Sequence, residues 1–259
     1  MRVRFGSWGV LILACAALRA AGQQPGAATP AIDPKADAVL KAMSRALASA
    51  GAFSFDSHAL TQHVLDDGQK VEFARNTKLA ARRPDRITAD VIGDAEELAF
   101  RYDGKTVAVL NKKSNSYGTA DAKATIDDTC DMLAGQYGMV LPLADLLFAD
   151  PYKTLTSGVR SGRHLGDGFV FDVKCHHLAF RNEVVDWQIW VEQGERPLPR
   201  KIVITYKDSP AQLQFTAFLN NWDLSANLPD DRFTFRAPEG AKKVDFARPA
   251  TVPDAPRQP

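Results

Sequence analysis

Residues 53–79, FSFDSHALTQHVLDDGQKVEFARNTKL, decide the fold class of this chain. Phe53 and Phe55 alternate with polar residues, which gives the period of two that is typical of a β-strand with one buried face. The segment Asp66–Gln69 then predicts a turn, because its glycine readily adopts a positive φ. The returning strand carries its apolar side chains at Val71, Phe73 and Leu79. This stretch therefore predicts an antiparallel β-hairpin.

The same period of two recurs in both halves of the chain. Each such segment has one apolar and one mixed face, which is the pattern of an antiparallel sheet that is covered on one side. Further strands are predicted around Ile87, Ala89 and Val91; Leu98, Phe100 and Tyr102; Thr106 to Leu110; Phe169, Phe171, Val173 and Cys175; Val185, Trp187, Ile189 and Val191; Ile202, Ile204 and Tyr206; Leu213, Phe215, Ala217 and Leu219; and Phe233 and Phe235. The sequence thus predicts about ten strands in one strongly curved sheet.

A helix is predicted to precede the first strand. Asp33 suits the N-cap and Pro34 the first helical position. Gly51 is the expected end of this helix. Its apolar face is formed by Val39, Leu40, Met43, Leu47 and Ala50, at helical spacing.

Two more helices are predicted in the middle of the chain. Residues Thr125–Asp128 form an acidic variant of the capping box, and they precede apolar residues at spacings of three and four. Residues Leu141–Phe148 predict a short helix with few charged residues, which must lie against other protein or a ligand. The fold class is therefore α+β, with one strongly curved antiparallel sheet that faces a small set of helices.

The N-terminus has the three parts of a secretory signal peptide. Arg2 and Arg4 precede the apolar run Val10–Leu18, and small residues follow, which predicts a signal over 1–22. The apolar run is shorter than the ~20 residues that a membrane span needs, and no later stretch comes close. In the alternative interpretation, Leu11 to Cys15 resembles a bacterial lipobox, so that Cys15 is lipidated and anchors the protein to a membrane. Cleavage and release into the periplasm is the first expectation.

The rest of the chain is predicted to form one domain between two disordered segments. The Pro-, Gly- and Ala-rich residues 23–32 predict a disordered linker, residues 33–246 a single domain, and residues 247–259 a disordered tail. The whole chain has 32 basic and 31 acidic residues. Removing the signal leaves 29 basic residues spread along the chain, a composition that does not suggest nucleic-acid binding.

Two cysteines remain after processing, Cys130 and Cys175. In an oxidising compartment they could form a disulfide. The alternative is two separate buried thiols that pack as small apolar side chains. The sequence leaves both open, because it does not show how closely their Cα atoms approach.

A search for reactive motifs gives no candidate catalytic residue. The chain has no HExxH, CxxC, GxSxG, GxGxxG or P-loop motif. Its five histidines include the neighbours His176 and His177, which point to opposite faces of a strand. Acidic pairs such as Asp127–Asp128 are explained by helix capping. The expectation is a non-enzymatic protein without a metal or cofactor.

Apolar side chains are the best candidates for a binding site. Large curved β-sheets that enclose a space use it for apolar ligands, whereas ordinary core packing explains the same residues equally well. The predicted cavity-lining residues are Phe169, Phe171, Trp187, Ile189, Ile202, Phe215, Leu143 and Leu147.

Several short stretches together resemble a bacterial family of predicted periplasmic proteins of unknown function, which is similar to the LolA/LolB lipoprotein-carrier superfamily. The resemblance covers nearly all of residues 33–246. The stretches are LDDGQKV at 65–71, RRPDR at 82–86, YDGK at 102–105, YGMVLPLAD at 137–145, DWQIW at 186–190 and RPLPRK at 196–201. The resemblance implies an incomplete barrel, which is a half-open, strongly curved antiparallel sheet with helices as a lid over a hydrophobic cavity. In carriers of that superfamily the cavity holds lipoprotein acyl chains.

The expected function is therefore binding or carriage of an apolar ligand, a lipoprotein acyl chain or a lipid, in the periplasm. One alternative is an envelope structural or sensing module that binds a protein partner. A less favoured alternative is an envelope hydrolase, since none of the expected nucleophile, acid–base or metal spacings occurs.

Overall fold

A twelve-stranded sheet organises residues 31–208 and 211–246, the part of the chain that this computed structural model describes. The predicted signal peptide, most of the linker, the tail and Cys15 lie outside the described residues. The strands are β1 (Ala52–Val64), β2 (Lys70–Arg82), β3 (Arg86–Gly93), β4 (Glu97–Tyr102), β5 (Thr106–Asn111), β6 (Ser116–Asp121), β7 (Ser161–Val170), β8 (Val173–Arg181), β9 (Val185–Glu192), β10 (Pro199–Tyr206), β11 (Gln214–Asp223) and β12 (Lys242–Lys243).

The strands follow the order β12-β6-β5-β4-β3-β2-β1-β11-β10-β9-β8-β7. The curved sheet is not closed, because β12 and β7 lie at its two ends and do not pair with each other. All neighbouring strands are antiparallel except β12, which runs parallel to β6. The prediction of a purely antiparallel sheet of about ten strands is thus corrected to a mixed sheet of twelve among the described residues.

The hairpin of residues 53–79 is confirmed. Strands β1 and β2 pair over their full length, with Phe55 opposite Leu79 and Thr61 opposite Phe73. Gly68 adopts a φ of 87° in the connecting turn. The alternation of apolar and polar residues therefore favours both the strand and its register.

The strand predicted through Phe169, Phe171, Val173 and Cys175 is wrong. The chain instead makes a hairpin turn at residues 171–172, with Phe171 at a φ of 50°, between β7 and β8. A turn reverses the chain, so residues before and after it do not share the continuous face that alternation predicted. Strand β7 begins at Ser161 and Gly162.

No strand forms at Phe233 and Phe235. A 3₁₀ helix at Asp230–Arg232 precedes them, and this segment packs on the outer face of the sheet. Phe233 is fully buried beside Ala80 and Leu228. Phe233 is thus explained by burial against the sheet, and the half-buried Phe235 packs against Tyr117 of β6, without a strand of their own.

Helix α1 (Pro34–Ser49) begins as predicted. The Asp33 carboxylate accepts hydrogen bonds from the backbone N–H groups of Lys35 and Ala36, at 2.7 and 3.2 Å. Its buried residues are Ala36, Leu40, Met43, Ser44 and Leu47. The apolar face of α1 therefore closes the core over the inner face of the sheet.

Helix α2 (Ile126–Tyr137) also begins at its predicted cap. The Thr125 hydroxyl oxygen accepts a hydrogen bond from the backbone N–H of Asp128 at 3.1 Å. Gly138 ends the helix in the left-handed conformation. The capping box thus placed the start of α2 correctly.

The helix predicted over Leu141–Phe148 is wrong. Only Ala144–Leu146 form a 3₁₀ helix, and Leu143 before it has a φ of 66°. Pro142 lacks a backbone N–H donor and restricts the residue before it, which disfavours a regular helix. A further helix, α3 (Pro151–Thr156), follows and packs against α1.

The two cysteines of the domain are free, buried thiols. Cys130 lies on α2 and Cys175 on β8. Burial raises the pKa of the Cys130 thiol to about 12 and that of the Cys175 thiol to about 11. The structure therefore favours separate buried thiols over the disulfide. None of the helices in the described residues is both long and apolar enough to cross a membrane.

Candidate functional site

A pocket of about 420 Å³ lies against the inner face of the sheet. Strand β1 contributes every second residue to its wall, namely Phe55, Ser57, Ala59, Thr61 and His63. Successive side chains of a strand point to opposite faces, so this alternation places the pocket on one face of the sheet. The side-chain alternation that the sequence of β1 predicts therefore forms this wall of the pocket.

The pairing of neighbouring strands continues this wall across the sheet. Leu79 of β2 lies opposite Phe55 on one side and Ala89 of β3 on the other. Ala89 in turn lies opposite Phe100 of β4, which lies opposite Val109 of β5. All of these residues line the pocket. One rung of the sheet therefore forms a continuous apolar surface.

The segment after α2, which we name the cover segment, also lines the pocket. The pocket-lining residues of this segment are Met139, Val140, Leu141, Pro142, Leu143, Asp145 and Leu147. Because this segment forms only a short 3₁₀ helix, it does not fill the space with a regular row of side chains.

Charged groups gather at the end of the pocket where β1 ends and β2 begins. The Arg75 guanidinium and the Glu96 carboxylate form an ion pair at 3.3 Å. His63 lies at the same end, where burial and the nearby Arg75 charge lower the pKa of its imidazole. Burial raises the pKa of Tyr206, which also lines this end. The pocket thus combines a charged end with an apolar remainder.

Asp145 contributes a carboxyl group from the covering segment. It faces the pocket, and burial by the surrounding protein raises the pKa of this carboxyl. Charged forms are disfavoured in such surroundings, so Asp145 is the group in the cover that is most sensitive to pH.

We expect Asp145→Asn to be more stable than the wild type at neutral pH. The raised pKa means that the folded protein holds this proton more tightly than the unfolded chain does. The free energy of unfolding of the wild type therefore falls as the pH rises above the unfolded-state pKa of about 4. Urea denaturation between about pH 4 and about pH 7 measures this, and an advantage of the variant that does not grow with pH contradicts it.

The structure brings three of the eight predicted site residues to the pocket, Leu143, Leu147 and Phe215. Trp187, Ile189 and Ile202 lie in the core that α1 closes over the same inner face, and they do not line the pocket. Phe169 and Phe171 are 68% and 77% exposed, because the β7–β8 turn carries them away from the core. Alternation along a strand identified inner-face residues, but it did not show where the space between sheet and cover remains open.

The charged residues of the pocket were missed. Arg75 and Glu96 are separated by 21 positions, and no motif in the sequence links them. The available signal was the position of Arg75, which falls in register with the apolar residues Phe73 and Leu79.

Two histidines outside the pocket approach each other on the β7–β8 hairpin. His164 Nε2 lies 3.2 Å from His176 Nδ1, and burial lowers the pKa of both imidazoles. Across residues 31–208 and 211–246, no group of three or more His, Cys, Asp or Glu side chains is arranged to hold a metal ion.

A comparison with protein families gives one match. The model of a family described as "Predicted periplasmic protein (DUF2092)" matches residues 36–247. This confirms the family that the sequence motifs predicted. No curated protein matches the chain.

Solved structures are similar to the chain at low sequence identity. An uncharacterised conserved protein from Thermus thermophilus is 9% identical with a TM-score of 0.48, over 82% of this chain and 99% of that one. The lipoprotein LppX of Mycobacterium tuberculosis is 10% identical with a TM-score of 0.44, over 76% of this chain and 100% of LppX. The LolA superfamily protein NE2245 of Nitrosomonas europaea is 13% identical with a TM-score of 0.39, over 77% of this chain and 97% of NE2245. None of these similarities indicates a ligand for this chain.

Proposed function

We propose that this chain, which belongs to the DUF2092 family of predicted periplasmic proteins, binds an apolar ligand in the pocket without catalysing a reaction. The ligand is an acyl chain of a lipoprotein or a lipid. The observation that carries the proposal is the apolar wall that runs from Phe55 through Leu79, Ala89 and Phe100 and remains unfilled by side chains.

The size and surface of the pocket suit such a ligand. About 420 Å³ falls within the range of ~300–1,000 Å³ that is typical of ligand pockets. Moving an acyl chain from water into an apolar pocket gains ~0.8 kcal/mol for each buried methylene group. A protein that offers this surface keeps the chain out of the aqueous periplasm.

The segment 139–147 acts as the lid in this proposal. Leu143 adopts a left-handed conformation that is unfavourable for a residue with a side chain, and opening of the segment would relieve this strain. Movement of the segment would uncover the apolar wall that Leu143 and Leu147 now face.

Native mass spectrometry of the protein purified from the periplasm tests the proposal. We expect a bound lipid mass, and we expect Ala89→Trp to weaken binding of a fluorescent fatty acid at least ~10-fold, because the indole fills the pocket. The matched control is Ile92→Trp on the same strand, where Ile92 is 59% exposed and lies outside the pocket. A protein that is always empty and binds no fatty acid contradicts the proposal.

A second candidate function is recognition of an envelope protein, and the exposed aromatic side chains of the β7–β8 hairpin favour it. Phe169 and Phe171 are large apolar groups that monomeric proteins rarely expose together. A photo-crosslinking residue in place of Phe171 tests this function in cells. A single crosslinked protein partner, with no lipid in the purified complex, would favour it over the first.

A further inference from the structure

Arg75 places a permanent positive charge in the wall of the pocket. It lies on β2 between Ala59 of β1 and Gly93 of β3, so its side chain projects from the inner face. The side chain is 20% exposed, and its guanidinium lies 5.6 Å from the ring centre of Phe215. The sheet therefore holds one cationic group at the border between pocket and solvent.

Most of the hydrogen-bonding capacity of Arg75 remains unused within the described residues. A guanidinium carries five N–H donors. Arg75 donates one hydrogen bond there, from Nη1 to Glu96 Oε1 at 3.3 Å. The other carboxylate oxygen, Glu96 Oε2, is buried without a partner. Glu96 thus orients Arg75 through a single long contact and leaves its remaining donors available.

The surroundings of Arg75 increase the benefit of an added anion. Apolar side chains at Phe73 and Phe215 lie beside it in the pocket wall. A charge among apolar groups is attracted more strongly to an opposite charge than a charge in water is. Guanidinium groups bind carboxylate and phosphate oxygens through paired hydrogen bonds.

The distance from Arg75 to the apolar end of the pocket suits one acyl chain. Leu79 lies four residues further along β2, which at ~3.3 Å per residue gives about 13 Å. If each methylene takes ~30 Å³, the volume of one water in the liquid, the pocket holds about 14 such groups. One chain with its head at Arg75 and its tail toward Leu79 and Phe100 would occupy this space.

We propose that Arg75 anchors the anionic head of the ligand, so that the protein selects single acyl chains that end in a carboxylate or phosphate. This inference rests on the proposed function and specifies the class of its ligand. Glu96 is a positioning residue that orients the guanidinium. A fatty acid would supply a carboxylate, and a single-chain lysophospholipid would supply a phosphate.

Displacement of the uncharged dye Nile red by amphiphiles of one chain length tests the inference. The probes are decanoate, decyl phosphate, decan-1-ol and decyltrimethylammonium. We expect the better of the two anions to bind ~10-fold more tightly than decan-1-ol to the wild type, and the cation to bind more weakly. Decanoate and decyl phosphate distinguish a carboxylate head from a phosphate head.

Variants at the charged end assign the preference to Arg75. In Arg75→Gln the preference for anions should disappear while binding of decan-1-ol persists, and Arg75→Lys should retain part of it. Glu96→Gln should strengthen anion binding, because it removes a competing negative charge. If Arg75→Gln does not fold, this variant tests whether the anion preference depends on the charge of Arg75. Arg101→Gln is the matched control, since Arg101 forms an ion pair with Asp90 at 2.9 Å outside the pocket.

Three results overturn the inference and leave the proposed function intact. The first is equal binding of the anions and decan-1-ol to the wild type. The second is an anion preference that persists in Arg75→Gln, and the third is an anion preference that falls in Glu96→Gln. If no decyl compound displaces Nile red from the folded wild type, the proposed function itself fails.

Discussion

Replacement of Trp187 by alanine is expected to lower the free energy of unfolding by about 3–5 kcal/mol, the range for a large aromatic side chain removed from a core. The indole is 7% exposed and stacks on the ring of Phe180 with the ring centres 4.2 Å apart. The cavity would form beside Ile189, which is fully buried, so the surrounding side chains have little freedom to close it. Urea denaturation followed by circular dichroism measures the change.

Phe169→Ala is the control for this prediction, because sequence periodicity assigned Phe169 and Trp187 to the same set of inward-facing residues. Phe169 is 68% exposed on β7, so its truncation should change stability by no more than about 0.5 kcal/mol. Equal losses in the two variants would show that the β7–β8 hairpin does not carry Phe169 to the surface.

Replacement of Arg83 by methionine is expected to lower the free energy of unfolding by about 3 kcal/mol. Its guanidinium donates hydrogen bonds to the carbonyl oxygens of Leu47 and Ala50, at 3.1 and 2.8 Å, and to that of Phe148 at 2.8 Å. Each hydrogen bond from a charged donor contributes ~1.5–3 kcal/mol, and the cost of burying the charge offsets part of the sum. Burial indeed lowers the pKa of Arg83.

The position of these three carbonyl groups explains why Arg83 matters. Leu47 and Ala50 lie at the end of α1, whose last carbonyl groups lack partners within the helix. Phe148 follows the cover segment, which lines the pocket. Arg83 therefore joins the end of α1 to this segment, and its loss should loosen both.

Arg45→Met provides the comparison for Arg83→Met. Arg45 lies on the exposed side of α1 and makes no hydrogen bond or ion pair with the described residues, so the same chemical change there should cost no more than about 0.5 kcal/mol. Arg83→Lys should fall between the two, because one ammonium group cannot reach all three carbonyl oxygens. A loss in Arg83→Met as small as that in Arg45→Met would contradict this role.

Errors in the predicted fold share a physical cause. Residues 169–175 and 141–148 have strong apolar periodicity, yet one contains a turn and the other only a 3₁₀ helix. Phe171 and Leu143 each adopt a positive φ, which apolar residues rarely do without support from the surrounding structure. No pattern in the neighbouring sequence predicts a positive φ at these residues. Tertiary packing therefore sets their backbone conformation against the periodicity.

The apolar character of the inner face could be predicted from the sequence, but only some of the residues that line the pocket could. Alternation predicted an inner apolar face, and Leu143, Leu147 and Phe215 are the predicted residues that line the pocket. Whether an inner-face residue meets α1 or the pocket depends on which elements lie above it. Trp187 and Ile189 meet the core that includes α1, so the same alternation leads to a filled core there.

The sequence by itself determined the elements whose causes lie within a few residues. The Asp33 and Thr125 caps, the turn at Gly68 and the alternation of β1 and β2 depend on neighbouring residues, and all were recovered. Only the tertiary structure decided where the inner face stays open and that Arg75 meets Glu96 there. These outcomes arise from contacts between segments far apart in the chain, and side-chain periodicity carries no information about such contacts.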